Sequence, residues 1–312
     1  MNVYKSFDEI DFNPDTVLTV GTFDGVHCGH QVIIRKLIET ARKDNLRALI
    51  ITIHPHPQIV LRKDNKEPIF ILTSISERLK LFEKFGINDV LIIPFSYEFS
   101  LTPPEVFIRE YLHKKVGFNK ILIGYDHLFG KDRQGNEELL LSLKDELKFE
   151  IVKIDPLTEH DLIISSTKIR NELKDKDIEL ANAMLGYDYF VNGIVVEGDK
   201  RGRTIRYPTA NLLPDEPAKL MPPDGVYFVK VQIDDRNFFG MGSIGTRPTF
   251  KENDPDILEV YIFDFNEDIY GKDISVVFLK FIRSQIKFGN VDDLIVEIKN
   301  DEKICREMMK NA

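Results

Sequence analysis

The sequence is poor in cysteine: Cys28 and Cys305 are the only two, and they lie far apart in the 312 residues. They supply no disulfide framework and no pair of metal ligands, and they fit a reducing cytoplasm. Positive charge is also short. With 42 Lys+Arg against 51 Asp+Glu the net charge is −9, so there is no global attraction to nucleic acid or to an anionic membrane. No apolar run is long enough to cross a bilayer. The opening MNVYKSFDEI has no basic segment leading into an apolar one, which predicts no signal peptide. Repeats and low-complexity segments are absent. Otherwise the composition, 43% hydrophobic and 30% charged, is that of a soluble globular protein. The length predicts two domains.

The first half alternates strand-like and helical segments. Apolar runs at 17–20, 47–53, 89–95, 120–126 and 149–154 read as strands. Between them, helices are expected at 31–43, with Val32, Ile33, Leu37 and Ile38 as the apolar stripe, and after the Ser74/Glu77 capping box, with Ile75, Leu79 and Phe82 repeating. Two more are expected at 102–115 and 136–147. This alternation predicts a parallel sheet with helices on both faces and a ligand beyond the carboxyl ends of the strands. Near residue 185 helical periodicity stops. Five or six β-rich runs separated by Gly, Pro and Asp follow, then an amphipathic helix at 291–309. The second half therefore reads as a small antiparallel barrel with a C-terminal helix. The predicted domains are 1–185, α/β and Rossmann-like, and 186–312, β.

Four stretches carry chemistry. In GTFDGVHCGH (21–30), a strand breaks at Gly21, turns, and enters a helix near His30, with His27 three residues earlier. A helix start offers free N–H groups and partial positive charge, which suits phosphate. In ISSTKIR (164–170), the hydroxyls of Ser165, Ser166 and Thr167 and the cation of Arg170 suit either a helix cap or an anion. In GDKRGRTIRYPTANL (198–212), Lys200, Arg201, Arg203 and Arg206 form a basic run in an acidic chain; a solvated face, an RNA contact and a phosphate loop all fit it. The PTAN that follows offers the Thr209 hydroxyl and the Asn211 amide oxygen, hard donors suited to Mg²⁺. In LEVYIFDF (258–265), Glu259 falls on a strand among apolar neighbours.

GTFDGVHCGH resembles the HxGH motif of the nucleotidylyltransferase superfamily, in the form seen in bacterial FAD synthetases. ISSTKIR resembles that family's ISSTxIR, and GYDHLFG (124–130) its GxDFxFG loop. PTAN and LEVYIFDF resemble the signatures of riboflavin kinases. The motifs run in family order from about 17 to 290, which identifies the chain as similar to the bifunctional prokaryotic riboflavin kinase/FAD synthetases. The resemblance implies that ATP and Mg²⁺ are used to convert riboflavin to FMN in the second half and FMN to FAD in the first. It implies phosphate contacts from His27, His30 and Arg170, aided by Gly21, Thr22, Phe23, Asp24, Gly25, Gly29, Ser165, Ser166 and Thr167. In the kinase half it implies ATP contacts from Gly198, Lys200, Gly202 and Arg203, metal ligation by Thr209 and Asn211, and Glu259 as base. Flavin contacts would come from His56, Gly124, Asp126, Phe129, Gly130 and Arg283. The chain departs from the family pattern at His54, His127, Ser243 and Tyr261, and has Arg206-Tyr207 where Gly-Phe is common. A nucleotidylyltransferase for another substrate, and a flavin- or RNA-binding regulator that has lost catalysis, are the competing readings. The expected partners are small molecules, with no nucleic acid, no membrane and no assigned oligomeric state.

Overall fold

The apolar runs of the first half form strands, and a sixth joins them. The structure, a computed structural model, describes residues 1–62, 67–124, 129–131, 135–155, 158–159, 162–198, 207–245 and 257–310. The chain folds into two compact units, Met1–Ser165 and Ser166–Ala312.

The first unit runs β1 (Asn2–Tyr4), β2 (Thr16–Gly21), α1 (Cys28–Asp44), β3 (Arg47–His54), α2 (Pro57–Val60), α3 (Ile75–Lys84) and β4 (Asp89–Pro94). It continues with α4 (Tyr97–Ser100), α5 (Pro104–Val106), a π-helix (Phe107–Val116), β5 (Lys120–Gly124), α6 (Glu137–Leu147) and β6 (Glu150–Ile154). The sheet order is β1-β4-β3-β2-β5-β6, with parallel neighbours throughout. Successive residues of β3, Leu49, Ile50 and Ile51, are all fully buried, so both faces of the sheet are covered. Strand β1 is only three residues long and adds to the edge at β4; so short a segment shows no periodicity.

The helices differ from the sequence reading in detail. Helix α1 starts at Cys28, ahead of the expected Gln31, because His27 caps it. Its buried face is Gln31, Ile34, Leu37 and Ala41, turned from the predicted stripe. Helix α3 has the expected capping box, but buries Glu77, Arg78, Leu81 and Phe82. The segment predicted as one α-helix over 102–115 is a short α-helical piece followed by the π-helix. There Phe107, Ile108, Leu112 and Val116 are buried, and the wider i→i+5 winding brings the five-residue step from Phe107 to Leu112 onto one face. A two-stranded ladder, β7 (Thr158–Glu159) and β8 (Leu162–Ile163), precedes the end of the unit.

The second unit opens with α7 (Ser166–Lys174) and α8 (Ile178–Leu185). It continues with β9 (Phe190–Val196), β10 (Ala210–Pro214), β11 (Gly225–Ile233), β12 (Arg236–Gly245), β13 (Ile257–Ile262) and β14 (Asp273–Arg283). These six strands close into an antiparallel barrel, β10-β13-β12-β11-β14-β9. The strand not evident as an apolar run is β10, which emerges directly from PTANL. A C-terminal helix, Val291–Met309, follows. The predicted change at 185 marks where periodicity changes, whereas packing changes at 165. Helix α8 joins the barrel through Asn182 Nδ2, which donates to Phe278 O at 3.0 Å, and through Glu179, 2.8 Å from Lys280 Nζ.

Candidate active sites

In the first unit, β2 carries Gly21 to the carboxyl edge of the sheet, where the chain turns into α1. His27 is the N-cap of α1, and its Nδ1 accepts the His30 N–H at 3.4 Å. The two imidazoles stack with centroids 3.7 Å apart and planes 18° apart. Phe23 packs against His30 at 5.1 Å and edge-on against Phe82 at 5.6 Å. A Cβ on Gly29 would approach the His27 ring at 3.2 Å, so a larger residue there would push the ring aside. His30 Nδ1 is buried with no hydrogen-bond partner among the described residues. Burial foremost, then the neighbouring His27 and Arg78, holds the His30 pKa well below the usual histidine range. His30 is therefore neutral at pH 7, one ring nitrogen protonated and the other able to accept.

The remaining predicted residues of this unit divide. Asp24 is fully buried. Its carboxylate accepts the N–H groups of Leu72 (2.9 Å) and Thr73 (3.0 Å), so it braces the turn. The Gly25 N–H donates to Thr73 Oγ1, and the Thr22 carbonyl accepts from Thr52 Oγ1. His56 caps α2, its Nδ1 accepting the Gln58 N–H at 3.2 Å. Gly124 ends β5. Phe129 is bridged to Gly135 and packs on Phe107 at 6.1 Å, and Gly130 follows with a φ of 70°. Gly21, His54 and Gly124 thus end adjacent parallel strands, β2, β3 and β5. Asp126 and His127 lie outside the described residues. Ser165 closes the first unit; Ser166, Thr167 and Arg170 belong to α7, with Arg170 buried.

In the second unit, β10 sets Asn211 opposite Glu259 of β13, and β12 sets Ser243 opposite the same glutamate. Directly paired residues share a face. Leu258 and Val260, on either side of Glu259, are fully buried, so Asn211, Glu259 and Ser243 form a row on the barrel's outer face. Thr209 Oγ1 reaches Glu259 Oε2 at 3.5 Å. A Cβ on Gly198 would stand 2.2 Å from Asn211 Nδ2, so glycine there admits the buried amide. Tyr261 packs edge-on against Tyr207 at 4.9 Å, and Tyr207 OH donates to Glu302 Oε2 of the C-terminal helix at 3.2 Å. Burial, then Glu302, raises the Tyr207 phenol to about 12 and Tyr261 in the same direction. Both are protonated at neutral pH. Lys200, Gly202 and Arg203 lie outside the described residues.

Arg283, expected to face flavin, is engaged within the protein. Its Nε and Nη2 lie 2.9 and 2.7 Å from the Asp301 carboxylate, and Glu297 is 3.3 Å away. The C-terminal helix supplies both acids. Sequence reasoning also passed over Arg78, Thr52 and Thr73 behind the first-unit turn. The available signal was Arg78 itself, a cation three and four residues before the apolar Leu81 and Phe82. Among the described residues no cluster of three His, Cys, Asp or Glu side chains could hold a metal ion.

The FAD synthetase family model matches residues 9–168, and the riboflavin kinase model matches residues 185–309. Bifunctional riboflavin kinase/FMN adenylyltransferase of Bacillus subtilis is 37% identical over 294 residues, covering 92% of this chain and 90% of that protein. The Escherichia coli protein of the same name is 36% identical, covering 93% and 92%. A crystal structure of a macrolide-efflux protein from Streptococcus pneumoniae superposes with a TM-score of 0.87 at 34% identity, covering 98% of both chains. The efflux in that name is said of that protein; among the described residues here, no helix is long and apolar enough to cross a membrane. With both family models matched in order and relatives similar over nearly the whole length, the chain belongs to the bifunctional riboflavin kinase/FMN adenylyltransferases, enzymes of FAD biosynthesis.

Proposed function

We propose that the two chemistries divide between the residue groups described above, with the domain boundary for function near 185. The observation that carries this reading is that the two groups fall in different units: stacked His27 and His30 lie in the first, and Thr209, Asn211 and Glu259 gather on the barrel of the second.

In the barrel, the terminal ribityl hydroxyl of riboflavin attacks the γ-phosphorus of ATP. An alcohol is a weak nucleophile, and Glu259 accepts its proton. Thr209 hydroxyl, Asn211 amide oxygen and the nearby carboxylate are hard oxygen donors, a set that fits Mg²⁺; Thr209 and Asn211 would hold it. Mg²⁺, when bound, offsets charge on the transferred phosphoryl group. Gly198, Lys200, Gly202 and Arg203 serve the triphosphate, and Tyr207 and Tyr261, both protonated, wall the site beside the C-terminal helix.

In the first unit, the FMN phosphate attacks the α-phosphorus of a second ATP and pyrophosphate leaves. The nucleophile is already anionic and no general base is required. The need is to hold two anions together and to stabilise charge at the α-phosphate. Within that unit His27, His30, the Ser165 hydroxyl and the α1 N-terminus meet it; the resemblance assigns Ser166, Thr167 and Arg170 of α7 to phosphate as well. His56, Gly124, Asp126, Phe129 and Gly130 serve the flavin. Cytoplasmic location follows from the reducing compartment the two thiols fit. His30→Ala is expected to abolish FAD formation and leave FMN formation intact, both measured by chromatography on one preparation. Loss of both products would overturn the division.

A further inference from the structure

Among the described residues the largest fully buried side chain is a cation, Arg78. It lies in α3, outside every motif used above. Its Nη1 donates to Thr52 Oγ1 at 3.0 Å and to the Ile53 carbonyl at 3.1 Å, and its Nη2 to the Thr73 carbonyl at 3.4 Å. Both threonines continue inward to the histidine turn. The Thr52 hydroxyl, accepting from Arg78, donates to the Thr22 carbonyl at 3.2 Å. The Thr73 hydroxyl accepts the Gly25 N–H at 2.9 Å, and the Thr73 N–H donates to Asp24. One planar, permanently charged fork thus ties the end of β3 and the 72–73 segment to the backbone of residues 22–25.

That turn needs such support. Phe23 and Val26 have φ of 50° and 35°, the left-handed region, which a β-branched residue rarely occupies. Conformations of this kind persist only where their surroundings over-determine them, and they collect at functional sites. The turn also sets where His27 begins α1 and where Phe23 supports His30.

We infer that Arg78 is a positioning residue for adenylyl transfer: through Thr52 and Thr73 it holds the strained turn that aims His27 and His30 at the ATP phosphates. This rests on the reading of the histidine turn as the adenylyl-transfer site. Its action is through hydrogen-bond geometry, and Arg78 itself does not touch substrate.

The test uses the full chain. Arg78→Met, Thr52→Val, Thr52→Ser, the Thr52→Val/Arg78→Met double variant and His30→Ala are assayed for FAD formation from FMN and Mg–ATP, and for riboflavin phosphorylation. A misaimed turn should cost about 100-fold in kcat/KM for ATP in FAD formation for Arg78→Met, and about tenfold for Thr52→Val, because small displacements of positioning groups have effects of this size. The KM for ATP in that reaction should rise, and Thr52→Ser, which keeps the hydroxyl, should stay near the native value. The double variant should be no worse than Arg78→Met alone, since both break one relay. Riboflavin phosphorylation should stay within twofold in all of these. Partial unfolding would lower the apparent kcat and leave KM unmoved. An unchanged KM in Arg78→Met, a loss in Thr52→Ser equal to that in Thr52→Val, or additive losses in the double variant overturns the inference. Retained FAD formation in His30→Ala would instead overturn the reading of the turn.

Discussion

Replacing Arg283 by Met should damage the second unit first through stability. The Arg283 side chain is 18% exposed and that of Asp301 only 4%. Nε and Nη2 both reach the Asp301 carboxylate, the shorter contact being 2.7 Å. Removing the cation leaves a carboxylate buried without its partner, a change that costs about 3–5 kcal/mol for fully buried pairs. Arg283 keeps some contact with water, which puts the expected loss at the lower end, about 3 kcal/mol. Asp301→Asn should cost less, about 1–2 kcal/mol, because the guanidinium retains Glu297 at 3.3 Å and the Ser284 carbonyl at 3.0 Å. Urea unfolding followed by circular dichroism would show the midpoint of the second unit falling in the order native, Asp301→Asn, Arg283→Met. The flavin KM of the kinase would rise only as far as the C-terminal helix loosens. If Arg283→Met unfolds at the native midpoint while its riboflavin KM rises sharply, the residue serves the flavin and the structural reasoning fails.

Glu259→Gln should lower riboflavin phosphorylation by about 100-fold or more, the usual worth of a positioned base, while FAD is still made from added FMN; near-native phosphorylation would remove Glu259 from that role. On the same barrel row, Asn211→Ala should raise the Mg²⁺ concentration at which the kinase is half-maximal, and an unchanged requirement would count against ligation there. His30 gives a pH signature. Its folded pKa is depressed below the ordinary 6.5, so below that pH the unfolded chain binds a proton that the folded chain refuses. The first unit should therefore lose stability as pH falls from 7 toward 5, and the urea midpoint of His30→Gln should fall less over that range; equal slopes would refute the assignment.

The central strands were legible from residues alone because the signal is local: burial on both faces gives short continuous apolar runs, as in β3 from Ala48 to Ile51, where Leu49, Ile50 and Ile51 are fully buried. The Ser74–Glu77 capping box was legible for the same reason. Strand β10 was not, since ANLLP is short, carries polar Asn211 at its second position and ends on Pro214, and only pairing with β9 and β13 makes it a strand. The π-helix was hidden because its residues fit an α-helical pattern almost as well.

For the sites, amino-acid order alone determined which chemistry is present: two histidines on a glycine-rich turn, PTAN, and a glutamate on a strand. Tertiary structure decided what each group is free to do. It took Asp24 into the 72–73 segment and Arg283 into the C-terminal helix, where buried carboxylates and backbone groups need partners. It brought Asn211, Glu259 and Ser243 into one row by register. It also set Arg78 behind the histidine turn: spacing within α3 puts Arg78 on the face of Leu81 and Phe82, but only the packing of that face brings Thr52 and Thr73 to the guanidinium.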